Sequence, residues 1–216
     1  MTNNESNLPL SAQIATELLE IKAIKLQPKD PFTWASGWKS PIYCDNRMTL
    51  SYPSLRTLIK NAYVKEIKSR YPETEIIAGV ATAGIPQGAL IAEEMGLPFI
   101  YVRDKAKSHG RTNQIEGQVQ PGKKVFVVED LISTGGSSIK AIEALREAGM
   151  KVLGLGAIFT YGFPHADRNL MQAKVPYFTL SDYHSLLDIA VSSNLIKSEE
   201  LDSLNSWRME PENWRG

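Results

Sequence analysis

The sequence predicts an α/β fold built on a central parallel sheet. Short apolar runs alternate with helix-like stretches from Glu75 to Leu180, the pattern of successive βαβ units. One run, Val125 to Val128, is apolar at every position, as expected of a strand covered on both faces. Glycines follow the runs at Gly84 and at Gly135 and Gly136, where strand-to-helix turns belong. In such sheets ligands bind beyond the carboxyl ends of the strands, so the informative residues are those just after each apolar run.

The elements follow in order. Leu10 to Leu26 carries Ile14, Leu18, Leu19, Ile21 and Ile24 at helical spacing, and Pro28 and Pro31 end it. Phe32 to Asp45 mixes aromatic and turn residues around Gly37 and Pro41, which predicts short strands or an irregular hood. A helix opens at Ser51 or Tyr52 and runs to about Ser69, with Pro53 in its first turn, where proline is tolerated. Glu75 to Val80 reads as a strand, Ile85 to Met95 as a helix and Pro98 to Arg103 as a strand. Asp104 to Gly122 is polar and carries Gly110, Gly117 and Gly122. It reads as a long loop, and loops of that length in a compact domain are usually functional. After Val125 to Val128 come a helix from Ser137 to about Ala148, a strand from Val152 to Phe159, and a last strand at Tyr177 to Leu180 with helices on either side. The expected organisation is a single domain over residues 1–216. About 1–50 form a hood, about 51–190 the core and about 191–216 a C-terminal tail.

Composition narrows the function. The 216 residues suffice for a core without staples. Lys and Arg total 24 and Asp and Glu total 24, which argues against a globally basic nucleic-acid binder. Cys44 is the single cysteine, so no intrachain disulfide or Cys-rich zinc site is possible, and a reducing compartment is expected. Met1 to Asn7 is polar, and no apolar run approaches the roughly 20 residues of a membrane span. A cytoplasmic protein with no membrane partner is the expectation.

The segment after Val128 carries the most chemistry. Glu129 and Asp130 stand at the strand end, then Leu131, Ile132, Ser133, Thr134, Gly135, Gly136 and Ser137 lead into a helix. Small residues let successive backbone N–H groups converge on an anion, and a helix N-terminus adds partial positive charge. Carboxylates would repel that anion but suit vicinal hydroxyls, as in ribose recognition. Together they describe a site for a ribose 5-phosphate. The plainer alternative is a helix capped by Ser133 or Thr134 beside two incidental acids. No P-loop pattern is present, and Gly154 and Gly156 lack the third glycine of a dinucleotide fingerprint.

Val127 to Ser137 resembles the phosphoribosyl diphosphate (PRPP) motif of type I phosphoribosyltransferases: an apolar strand, two acids, two apolar residues and a small-residue loop. The resemblance implies the type I phosphoribosyltransferase fold. It also implies that Glu129 and Asp130 meet the ribose hydroxyls while the loop from Leu131 to Ser137 binds the 5-phosphate. Arg103 to Arg111 packs four cationic side chains and His109 into nine residues. A basic loop of this kind can close over a diphosphate and stabilise its leaving charge; read alone it is as readily a solvated charged loop. It resembles the catalytic loop of the orotate enzymes of the family, which implies that Arg103, Lys107 and His109 contact PRPP and act in catalysis, and that the loop is shared across a homodimer. Phe32 to Asp45 resembles the N-terminal segment of the same enzymes. That places Ser133, Lys39 and Tyr43 at the orotate site. Ala81 to Pro86 resembles the family's diphosphate turn.

The resemblance covers roughly Leu10 to Tyr183. The implied reaction is orotate plus PRPP giving orotidine 5′-phosphate and diphosphate, in pyrimidine biosynthesis. Mg²⁺ is the implied cofactor, held mainly through the diphosphate rather than by protein ligands. Some orotate enzymes carry lysines where this chain has Ala35 and Ala83, and an arginine near Thr160, Tyr161 and Gly162. Transfer to a purine base and a PRPP-sensing RNA-binding regulator are the alternatives. The hood argues against the first and the zero net charge against the second. His165 and His184 show no metal-site spacing, and Trp207 and Trp214 lie in the polar tail.

Overall fold

The computed structural model describes residues 8–104 and 114–215. Its centre is a six-stranded sheet of β5 (Ile76–Val80), β6 (Phe99–Val102), β7 (Ile115–Glu116), β8 (Lys124–Ile132), β9 (Lys151–Thr160) and β10 (Tyr177–Asp182). The spatial order is β10-β9-β8-β5-β6-β7. All neighbours are parallel except β6 and β7. Val125, Phe126, Val127 and Val128 are fully buried, which explains the unbroken apolar run.

Strand order reverses between β5 and β8. From β5 the chain moves outward to β6; from β8 it moves the other way, to β9 and β10. Crossovers leave a crevice at such a reversal, and ligands bind in it. The helices α3 (Gly84–Met95) and α4 (Gly136–Glu147) begin at the carboxyl ends of these two strands. Around the sheet pack α2 (Pro53–Arg70), α5 (Pro164–Gln172) and α6 (Tyr183–Ser192), with α1 (Leu10–Glu20) before them and α7 (Leu201–Met209) after.

Close approach at the crevice depends on glycine. A Cβ on Gly84 would lie 2.4 Å from the Val128 carbonyl oxygen. Gly84→Ala is expected to cost about 3 kcal/mol, because backbone rather than a side-chain tip must yield. A urea midpoint unchanged within error would contradict this.

Several boundaries differ from expectation. The helix expected over Leu10 to Leu26 stops at Glu20, because Lys22 takes a left-handed φ of 60°. Ile24–Leu26 instead forms β1, paired antiparallel with β4 (Ile42–Cys44). Beside it β2 (Phe32–Thr33) pairs with β3 (Lys39–Ser40), so the aromatic segment makes two small sheets. A 3₁₀ turn at Asn46–Ser51 joins them to α2. The expected loop from Asp104 to Gly122 contains strand β7, which adds to the sheet edge by pairing with Tyr101 and Val102. Strand β8 runs to Ile132, four residues past the apolar run, so Glu129 and Asp130 lie within the strand. No helix among the described residues is long and apolar enough to cross a membrane.

Candidate active site

Glu129 and Asp130 sit on β8 at the sheet's reversal point. Glu129 is 5% exposed. Its carboxylate accepts hydrogen bonds from the Ser137 and Ser138 hydroxyls, both at 3.2 Å, and from the Asp130 N–H at 3.1 Å. The backbone of the pair is anchored from two other elements. Tyr63 on α2 donates to the Glu129 carbonyl at 2.8 Å, and Asn46 donates to the Asp130 carbonyl at 2.8 Å. Burial, followed by the charge of neighbouring Asp130, pushes the Glu129 carboxyl up to about 8. Burial also raises Asp130. An acid poised there ionises readily when a ligand brings hydroxyl donors or positive charge to it.

The loop after β8 is pinned from outside. Thr160 donates to the Ile132 carbonyl at 3.0 Å, and Asn169 donates to the Thr134 carbonyl at 3.2 Å. Gly135 takes φ +79° and is the N-cap of α4, with no side chain capping the helix. Ser133 and Thr134 therefore do not cap it. At α3 the N-cap is Ala83, again with no side-chain cap. By contrast Asp182 caps α6. Two helix starts thus flank the carboxylates with first-turn N–H groups that no side chain satisfies, which suits bound phosphates. The turn before α3 contains a cis peptide between Ala81 and Thr82. Ala81 N–H donates to the Val102 carbonyl at 2.9 Å, which places this turn between the ends of β6 and β8.

Beside the loop lies a cavity of about 480 Å³, within the usual range for small-molecule pockets. Phe32, Thr33, Trp34, Ala35, Tyr43 and Cys44 from the N-terminal strands line it together with Leu131, Ser133 and Tyr161. Trp34 and Tyr161 pack on each other with ring centroids 5.2 Å apart, so they form one continuous aromatic surface. Trp34 is held by its indole N–H, which donates to the Ile42 carbonyl at 3.2 Å. Burial and the Asp130 charge raise the Cys44 thiol, so it is a neutral wall rather than a nucleophile.

The expected site residues distribute unevenly. Leu131, Ser133 and Tyr43 line the cavity together, and Ser137 is joined to Glu129 beside it. Leu131 faces the cavity, whereas Ile132 is 1% exposed and offers only its backbone. The Ser137 hydroxyl donates to the Glu129 carboxylate at 3.2 Å. Lys39 does not line the cavity; its ammonium donates to Thr33 Oγ1 at 2.8 Å, just behind the wall. Arg103 follows β6 and lies 3.1 Å from a Glu116 carboxylate oxygen. Lys107 and His109 lie outside the described residues. Among the described residues no cluster of His, Cys, Asp or Glu could by itself hold a metal.

Sequence reasoning marked Tyr161 only as standing near a family arginine, not as a wall of the cavity, although it directly follows β9. It passed over Tyr63, Asn46 and Asn169, which act through single hydrogen bonds to backbone carbonyls and leave no local signal.

Comparison with known proteins agrees with this geometry. The phosphoribosyl transferase domain family matches residues 53–184. The orotate phosphoribosyltransferase of Bacteroides fragilis is 55% identical over 205 residues, covering 95% of this chain and 97% of the relative. That of Streptococcus thermophilus is 53% identical over 208 residues, covering 96% and 100%. Among solved structures, orotate phosphoribosyltransferase from Aeropyrum pernix superposes with a TM-score of 0.74 at 27% identity, over 85% of this chain and 99% of that one. Leishmania donovani UMP synthase gives 0.77 at 30% identity, over 92% of this chain but 42% of that longer one.

Proposed function

This chain belongs to the phosphoribosyl transferase family, and within it to the orotate phosphoribosyltransferases; from that premise we propose that it transfers the 5-phosphoribosyl group of PRPP to orotate. The products are orotidine 5′-phosphate and diphosphate, a step of pyrimidine biosynthesis. The observation that carries this reading is the juxtaposition of a ribose-phosphate loop with an aromatic cavity of base size, meeting at Ser133.

Nitrogen N1 of orotate displaces diphosphate at the ribose C1: the C1–O bond breaks as the new C–N bond forms, and the N1 proton is lost to the departing diphosphate. Positive charge develops on the ribose and negative charge on the leaving group. The protein's tasks are positioning and charge stabilisation. Glu129 and Asp130 accept hydrogen bonds from the ribose hydroxyls. Backbone N–H groups from Ser133 to Ser137 hold the 5-phosphate at the start of α4. The turn from Ala81 to Ala83 and the side chains of Arg103, Lys107 and His109 hold the diphosphate. To reach it, Arg103 exchanges its contact with Glu116 for the ligand. The base lies against the aromatic wall that Trp34 and Tyr161 form together, beside Ser133 and Tyr43, with Lys39 reaching its carboxylate past Thr33.

The donor set fits Mg²⁺ bound chiefly through substrate. It lacks a protein cage among the described residues, and Asp130 offers a hard oxygen donor beside the ribose position. Mg²⁺ keeps much of its water and neutralises the diphosphate charge.

The proposed assembly is a cytoplasmic homodimer in which the loop bearing Lys107 serves the neighbouring site. Mixing inactive Lys107→Ala with inactive Asp130→Asn, under conditions that exchange subunits, is expected to restore about a quarter of the activity. No recovery with subunit exchange demonstrated would place loop and site in the same subunit.

Base choice tests the reading at the cavity. Orotate is expected to react, while hypoxanthine, xanthine and uracil neither react nor compete at equal concentration. Competitive inhibition by a purine, with its nucleotide as product, would assign a different base.

A further inference from the structure

Trp207 is fully buried although it belongs to a polar tail. It lies on α7, beyond the residues matched by the family domain. Its ring meets Trp34 edge-on at 5.8 Å and Tyr161 edge-on at 5.6 Å. Phe163 and Tyr183 complete its surroundings at 5.1 and 5.2 Å. Trp34 and Tyr161 both line the cavity and pack on each other as one aromatic wall. One comes from the N-terminal strands and the other from the end of β9, so Trp207 backs a wall assembled from both parts of the chain.

The tail is fixed in this position. Arg208 donates to the Gly162 carbonyl at 3.4 Å, one residue past Tyr161. Tyr183 donates to the Leu204 carbonyl at 3.4 Å, and Trp214 folds back to donate to Ser203 at 3.2 Å. The Trp207 indole N–H is buried without an acceptor. A buried donor without a partner is unfavourable, so filling space alone would favour phenylalanine. The indole instead supplies contact with both rings at once.

We infer that Trp207 is a positioning residue for the base, setting orotate affinity by holding the packed Trp34 and Tyr161 rings in place against the cavity. The inference rests on the reading of this cavity as the orotate site. PRPP touches neither ring in that reading, so its binding is insulated from the tail.

The test separates positioning from folding. Trp207→Phe removes the orphan donor and is expected to keep the wild-type melting temperature or exceed it. Its KM for orotate is expected to rise about fivefold, while KM for PRPP stays within twofold. Trp207→Leu is expected to raise the orotate KM tenfold or more. A phenylalanine variant with unchanged orotate KM, or with both KM values rising together, would overturn the inference. Hydrogen exchange on the wild type avoids any folding defect. Orotidine 5′-phosphate fills the base cavity and ribose 5-phosphate does not, so only the former is expected to raise protection over residues 201–209. Equal protection by the two ligands would count against Trp207. Failure of the wild type to use orotate at all would instead remove the reading on which the inference depends.

Discussion

Lys107→Ala is expected to lower turnover by about 10²- to 10³-fold. A preorganised charge aimed at a developing anion contributes on this scale. The leaving diphosphate gains negative charge as its bond to C1 breaks. If Lys107 meets that charge mainly in the transition state, as proposed, kcat should fall more than KM for PRPP rises. Steady-state kinetics at saturating orotate would read this. Turnover within twofold of wild type would remove Lys107 from the reaction and shift the diphosphate contacts to Arg103 and the Ala81 to Ala83 turn.

Glu129→Gln is expected to damage catalysis and relieve the free protein of a pH-dependent cost. Burial and Asp130 raise the Glu129 carboxyl from the ordinary glutamate range to about 8. The native state therefore holds a proton that the unfolded chain has already released. Stability falls as pH rises through that interval, at up to about 1.4 kcal/mol per pH unit for one proton. The loss is complete above about 8, where both states are ionised. Glutamine keeps the shape of the neutral acid and cannot ionise, so its variant should match wild type near pH 4.5 and exceed it at pH 8. The same substitution removes a charged acceptor for the ribose hydroxyls, and kcat/KM for PRPP should drop about 10- to 100-fold. Chemical denaturation at several pH values checks the first part and initial-rate kinetics the second. A wild type whose stability is flat from pH 5 to 8 would contradict the first. PRPP binding should favour the ionised carboxylate and expel a proton near neutral pH, seen as a buffer-dependent heat in calorimetry.

Legibility in the sequence followed how local each signal was. The run at Val125 to Val128 announced its burial because every position is apolar, and the acids and glycines after it announced the ligand side. Lys22 gave no warning. Nothing in lysine favours a left-handed turn, yet that conformation separates α1 from β1 and turns an apparent long helix into a helix and a strand. Strand β7 is two residues long and paired only at the sheet edge, too short for periodicity to register. Ser137 illustrates a different limit. Its hydrogen bond to the buried Glu129 carboxylate joins the loop to the acid pair, a link that loop position alone does not announce. The aromatic wall was the least legible part of the site, since Trp34, Tyr161 and Trp207 come from the beginning, the middle and the end of the chain.

The most direct measurement is the ultraviolet absorbance of orotate mixed with purified protein, PRPP and Mg²⁺, with each component omitted in turn. The account predicts loss of orotate absorbance only in the complete mixture, with orotidine 5′-phosphate and diphosphate formed in equal amounts. Absorbance that holds steady in the complete mixture, while PRPP still binds the protein, would contradict it and leave the ribose-phosphate site serving another base.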